Sequence, residues 1–187
     1  MATASQTPHG LLMSGLRRVF GLGGEVNPLW RRWLALSVAV VLADQLTKIV
    51  ILSRFRTGER LPVIDGLFDL VLAFNPGAAF SFLSSASGWQ RYLFVILAGV
   101  VSFVLVLFLR KPGGFGLHLG LALILGGALG NVIDRIHIGE VVDFLLVYHG
   151  TWSWPAFNVA DSAITVGAGL LILDSFRARR ADEPRAT

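Results

Sequence analysis

The chain has 187 residues, of which 54% are hydrophobic and only 15% charged, and a mean hydropathy of +0.67 leaves more apolar surface than a small soluble core can bury. That balance speaks against a soluble enzyme. Sixteen Lys and Arg against twelve Asp and Glu give a net charge of +4, but the basic residues cluster beside apolar runs, the placement of membrane orientation signals rather than of a nucleic-acid surface. Cysteine is absent, which excludes disulfides, thiolate metal sites and a cysteine nucleophile.

In chain order, residues 1–30 read as a flexible cytoplasmic extension. Their one apolar stretch, around Leu11 to Leu16, is stopped by Arg17 and Arg18 and is too short for a signal-peptide core. Residues 31–176 form the membrane domain, whose four apolar runs each approach the ~20 helical residues that cross a hydrocarbon core. The runs are Trp33–Leu52, Tyr92–Leu109, Phe115–Ile136 and Phe157–Phe176. Two loops, 53–90 and 138–156, leave the membrane on one side, and residues 177–187 form a cytoplasmic tail. Within the first loop, Gly66–Phe74 reads as a strand, Asn75-Pro76-Gly77 as a turn and Ala78–Leu83 as a return strand. Within the second, Glu140–Tyr148 is another strand, followed by an interfacial aromatic cluster of Trp152, Trp154 and Phe157. The expected fold is an all-α, four-transmembrane-helix bundle with a small β element in the extracytoplasmic loops.

Lysine and arginine counts orient the bundle. With the N-terminus inside, ten basic residues flank the inner side (Arg17, Arg18, Arg31, Arg32, Arg110, Lys111, Arg177, Arg179, Arg180 and Arg185), against Arg54, Arg56, Arg60 and Arg91 outside. Both termini are then cytoplasmic.

Each charge inside a span costs ~2.5–3.5 kcal/mol on insertion scales and so needs a partner or a task. Asp44 and Lys48 stand four apart, acid first, and share a helix face as an ion pair. The glycines at 116, 120, 126 and 130 are spaced for close helix packing. Asn131, Asp134 and Arg135 form one polar face on which Arg135 is expected to neutralise Asp134 while still offering donors to a carbonyl or carboxylate. Polar glue between helices and direct substrate contact are both consistent with that face.

Asp143 and Asp161 lack a basic neighbour in sequence, and Asn158 shares a helix face with Asp161. Two carboxylates brought together tend to share one proton, one acting as base toward water while the other acts as acid toward a carbonyl. A catalytic dyad, a proton or cation path through the bundle, and plain surface acids all remain open on spacing alone. His9, His118, His137 and His149 form no metal motif, and the two outer histidines, His137 and His149, are expected to be solvated.

Five blocks in order across residues 33–176 resemble the bacterial lipoprotein signal peptidases, or signal peptidase II. They are Asp44-Gln45-x-x-Lys48; Asn75-Pro76-Gly77-Ala78-Ala79-Phe80-Ser81-Phe82; Gly127-x-x-Gly130-Asn131-x-x-Asp134-Arg135; Val141-Val142-Asp143-Phe144; and Trp154-Pro155-Ala156-Phe157-Asn158-Val159-Ala160-Asp161-Ser162. The resemblance implies an inner-membrane aspartic endopeptidase with its site near the outer face. Such an enzyme cuts signal peptides from diacylglyceryl-modified prolipoproteins just before the lipid-bearing cysteine, without metal or organic cofactor. It implies a catalytic pair at Asp143 and Asp161, supported by Asp44, Lys48, Asn75, Asn131, Arg135 and Asn158, and sensitivity to globomycin-type peptide antibiotics. Its partners are then prolipoproteins and membrane lipid, with no nucleic acid. A proton-coupled transporter is the non-enzyme alternative, and a purely structural membrane subunit the third.

Overall fold

The structure is a computed structural model that describes residues 25–77 and 88–182, with side chains to Arg177. Its elements are α1 (Trp30–Arg54), β1 (Arg60–Ile64), β2 (Phe68–Asn75), α2 (Trp89–Leu109), α3 (Phe115–His137), β3 (Val141–His149), β4 (Trp152–Ser153) and α4 (Val159–Asp182). All four helices are long and apolar enough to cross a membrane. They lie within a few residues of the expected runs. α4 begins at Val159 rather than Phe157 because Asn158 caps it, its Oδ1 accepting from the Asp161 backbone N–H at 2.9 Å.

The bundle is polar inside and apolar outside. On α1 the buried stripe is Ser37, Asp44, Lys48 and Ile51, while Val38, Leu42, Leu46 and Ile49 are exposed. This inversion of a soluble amphipathic helix suits a hydrocarbon solvent, where polar groups must find partners within the protein. α3 is the hub, packing on α1, α2 and α4. Its glycines permit the approach. A Cβ at Gly120 would sit 2.8 Å from the Gly167 carbonyl oxygen of α4, one at Gly126 would sit 2.7 Å from the Ser37 carbonyl oxygen of α1, and one at Gly127 would collide with the Ala160 carbonyl. The apolar part of this core gathers Leu105, Leu109, Leu121, Ala122 and Leu125.

The β element is larger than the sequence suggested. Four antiparallel strands lie in the order β1-β2-β3-β4 at the end of the bundle where α1 and α3 finish and α2 and α4 begin. β1 carries Pro62, which confines it to a sheet edge, and all five of its residues are exposed. β4 is a two-residue return after a turn in which Gly150 has a φ of +59°. The aromatic cluster divides accordingly. Trp152 and Trp154 are exposed, whereas Phe157 is drawn against β3 by paired backbone hydrogen bonds with Leu145 at 2.8 and 3.0 Å. The expected return strand Ala78–Leu83 lies outside the described residues.

The β2–β3 register matters most. Ala73 stands opposite Asp143 and Asn75 opposite Val141, after a register shift between Leu70 and Ala73. Asn75 lies two residues beyond Ala73, so it shares the sheet face of Asp143 and reaches it diagonally.

Candidate active site

Asp143 lies in β3, 2% exposed. Its Oδ2 accepts from Asn75 Nδ2 at 3.0 Å and its Oδ1 from Asn158 Nδ2 at 2.8 Å. Asn75 is steadied by its own turn, in which Oδ1 accepts from Gly77 N at 2.9 Å. Gly77 has a φ of +113°, and a Cβ there would lie 2.5 Å from the Phe94 ring, so both backbone and space call for glycine.

Asp161 occupies the first turn of α4 and is half-buried. Its Oδ1 accepts from Asn131 Nδ2 at 2.8 Å. The two carboxylates are thereby joined through two asparagines, since Asn158 Nδ2 also lies 3.3 Å from Asn131 Oδ1. Asn158, 0% exposed, thus caps α4 with its oxygen and holds Asp143 with its nitrogen.

Burial, followed by the negative charge of Asp161, pushes the Asp143 carboxyl up from 3.8 to about 7; the hydrogen bonds from Asn75 and Asn158 and the charge of Lys48 oppose the rise. Asp143 is therefore about half protonated at neutral pH, within reach of the charge of Asp161. Two acids linked through hydrogen-bonded asparagines and coupled by charge can carry out general acid–base chemistry on a neutral substrate.

Behind the pair lies a buried ionic cluster. Lys48 Nζ stands 2.7 Å from Asp44 Oδ2 and 2.7 Å from Asp134 Oδ2, and donates to Asn131 Oδ1 at 3.2 Å. The expected Asp44–Lys48 pair is present, but the partner assigned to Asp134 is corrected. Lys48 neutralises it, not Arg135. Adjacent residues on a helix diverge by about 100°, so Asp134 faces α1 while Arg135 turns toward α2. The Arg135 guanidinium lies 5.0 Å from the centre of the Phe94 ring, and its Nη1 donates to the Asn131 carbonyl at 3.3 Å. Among the described residues no carboxylate is within ion-pair distance of it.

All eight residues picked out in the sequence, Asp44, Lys48, Asn75, Asn131, Arg135, Asp143, Asn158 and Asp161, meet at the sheet end of the bundle. Gln45 and Asp134 complete the cluster, with Gln45 Nε2 donating to Asp134 Oδ1 at 2.8 Å. The signal for them was present, because a second acid and an amide inside apolar spans also require partners. His137 and His149 are exposed, as expected. His118 is buried beside Trp33, thirteen residues and roughly 20 Å of helix from Asn131, and takes no part. Among the described residues no group of three or more His, Asp or Glu is placed to hold a metal ion.

Comparison with known proteins adds four findings. Residues 36–177 match the family model described as signal peptidase (SPase) II. The lipoprotein signal peptidase of Chromobacterium violaceum is 51% identical over 150 residues, covering 79% of this chain and 93% of that protein. That of Cupriavidus taiwanensis is 52% identical over 162 residues, covering 86% and 90%. A solved bacterial membrane enzyme, determined by the in meso method at 2.3 Å resolution, superposes with a TM-score of 0.73 at 30% identity over 83% of this chain and 94% of that one.

Proposed function

The chain belongs to the signal peptidase II family, and on that premise we propose that it removes signal peptides from diacylglyceryl-modified prolipoproteins, cutting just before the lipid-bearing cysteine by aspartate-dyad activation of water. The observation that carries the mechanism is the Asp143–Asn158–Asn131–Asp161 chain of hydrogen bonds, with burial and the charge of Asp161 pushing the Asp143 carboxyl up to about 7. Both termini face the cytoplasm and the dyad lies near the outer face of the bacterial inner membrane, a depth supported by the ten-to-four distribution of Lys and Arg. A substrate anchored by its lipid presents its scissile bond at that same depth.

Asp161, the more exposed acid, takes a proton from water, and the water oxygen attacks the peptide carbonyl carbon. Asp143 gives its proton to the carbonyl oxygen, forming a neutral tetrahedral diol. Collapse returns a proton to Asp143, breaks the C–N bond and delivers the proton held by Asp161 to the departing amine. Arg135, which has no ion-pair partner among the described residues, and Asn75 hold carbonyl groups of the substrate backbone. Asp44 and Lys48 support the pair from behind. A globomycin-type peptide antibiotic competes for the same groups.

The test is mass spectrometry of the products from purified protein and a diacylglyceryl-modified prolipoprotein peptide in detergent. The reading predicts one new N-terminus, at the lipid-modified cysteine, and slower release with a globomycin-type peptide present. Cleavage at another bond, or equal cleavage of a peptide lacking the lipid, would contradict it.

A further inference from the structure

Lys48, 2% exposed, lies between two buried carboxylates, Asp44 on its own helix and Asp134 on α3. Each carboxylate also accepts a backbone N–H. Asp44 Oδ1 accepts from Ala160 N at 2.9 Å, and Asp134 Oδ2 from Val142 N at 3.1 Å. Those two amides belong to the residues immediately before Asp161 and Asp143. Val142 and Ala160 are themselves fully buried, so neither backbone segment is held by chance contact with solvent or lipid.

The covalent chain alone does not set the separation of the two acids. Asp143 sits in a sheet and Asp161 on a helix, with eighteen residues from one to the other. Beside the β3–Phe157 backbone hydrogen bonds and the Asn158 amide, their backbones are joined by a second, ionic path, Val142 N–Asp134–Lys48–Asp44–Ala160 N. Gln45 closes it, because Nε2 donates to Asp134 Oδ1 at 2.8 Å and lies 3.2 Å from both Asp44 Oδ2 and the Gly130 carbonyl. Gly130 keeps the room for this arrangement, since a Cβ there would lie 2.7 Å from Asp44 Oδ2. A buried charge cluster is a poor source of net stability compared with apolar packing. Its use here is geometric.

We infer that Asp134, secured by Gln45, is a positioning residue of the peptidase reaction: through Lys48 and Asp44 it fixes the Asp143 backbone against the Asp161 backbone at the spacing that lets the two acids share a proton. The inference rests on the function proposed above and assigns the ionic cluster a part in turnover rather than in substrate affinity. Asp134→Asn keeps the shape but removes the charge that holds Lys48 between the two helices. Its new amide also confronts the Gln45 amide, donor against donor.

The experiment measures kcat and KM separately for cleavage of a diacylglyceryl-modified prolipoprotein peptide in detergent, with thermal unfolding of each protein. Asp134→Asn is expected to lower kcat about 10- to 100-fold, the scale of a small misplacement of reacting groups, with KM changed less than about threefold. Gln45→Ala, which leaves every ion paired, is expected to lower kcat by a smaller factor with KM again unchanged. A folded Asp134→Asn protein with wild-type kcat would overturn the inference, as would a loss confined to KM. If Asp134→Asn does not fold, Gln45→Ala decides, and wild-type kcat in that variant overturns it. Asp143→Asn run alongside separates the two levels: cleavage surviving in that variant removes the dyad reading itself, whereas an inactive Asp143→Asn beside a fully active Asp134→Asn removes only the clamp.

Discussion

Raising the pH from about 6 to about 8 should slow the protein roughly tenfold by titrating one carboxyl group. Asp143 is 2% exposed, and its burial and the neighbouring charge of Asp161 hold it at about 7 instead of 3.8. The acid that protonates the scissile carbonyl must itself carry a proton. The protonated fraction is about ten-elevenths at pH 6, one-half at pH 7 and one-eleventh at pH 8, so kcat/KM should fall roughly tenfold across those two units. The same shift acts on stability, and its sign follows from proton binding. A carboxyl whose pKa is raised on folding binds its proton more tightly in the folded chain, so stability is greatest below the unfolded value of 3.8 and declines as pH rises toward 7, by on the order of 4 kcal/mol in all. The assay is the initial rate of signal-peptide release in detergent at pH values from about 5 to about 9, with a thermal unfolding curve at each to separate lost protonation from lost fold. A rate that stays flat or climbs through pH 9 would refute the assignment of Asp143 as the proton donor.

Two further substitutions test how the pair is held. The hydrogen bond from Asn75 stabilises the Asp143 carboxylate, so Asn75→Ala should move the alkaline limb of the pH–rate profile to higher pH; an unmoved or lowered limb would argue against that contact. Gly127→Ala places a methyl against the Ala160 carbonyl, next to Asp161, and should cost about 1–3 kcal/mol of stability and about 10- to 100-fold in kcat. Gly99→Ala meets nothing within 4 Å and should change stability by less than about 0.5 kcal/mol, so similar behaviour of the two variants in a thermal melt would contradict the packing argument.

The sequence made the spans legible because a hydrocarbon solvent demands long uninterrupted apolar runs, and it exposed the site because each charge or amide inside such a run stands out. Asp44, Lys48, Asn131, Asp161 and their partners were visible for that reason. The pairing between them was less so. Arg135 is next to Asp134 in sequence, yet the ion pair forms with Lys48 across two helices, a choice made by packing of α3 on α1 at Gly126 and Gly130. β3 could be found from its apolar run, although Val141 to Phe144 are buried on both faces and show no alternation. β1 was hidden by Pro62 and by the exposure of all five residues, and β4 by having only two. The diagonal reach of Asn75 to Asp143 depends on the register shift between Leu70 and Ala73, which no local pattern announces.

The most direct test of the aspartate dyad replaces each acid by its neutral isostere. Wild-type protein, Asp143→Asn and Asp161→Asn are purified in detergent, shown to have the same helical content, and incubated with a diacylglyceryl-modified prolipoprotein in the presence of a chelator. Signal-peptide release is then followed by gel shift. The account predicts complete processing by the wild type and none by either variant; substantial processing by a variant, or none by well-folded wild type, would contradict it.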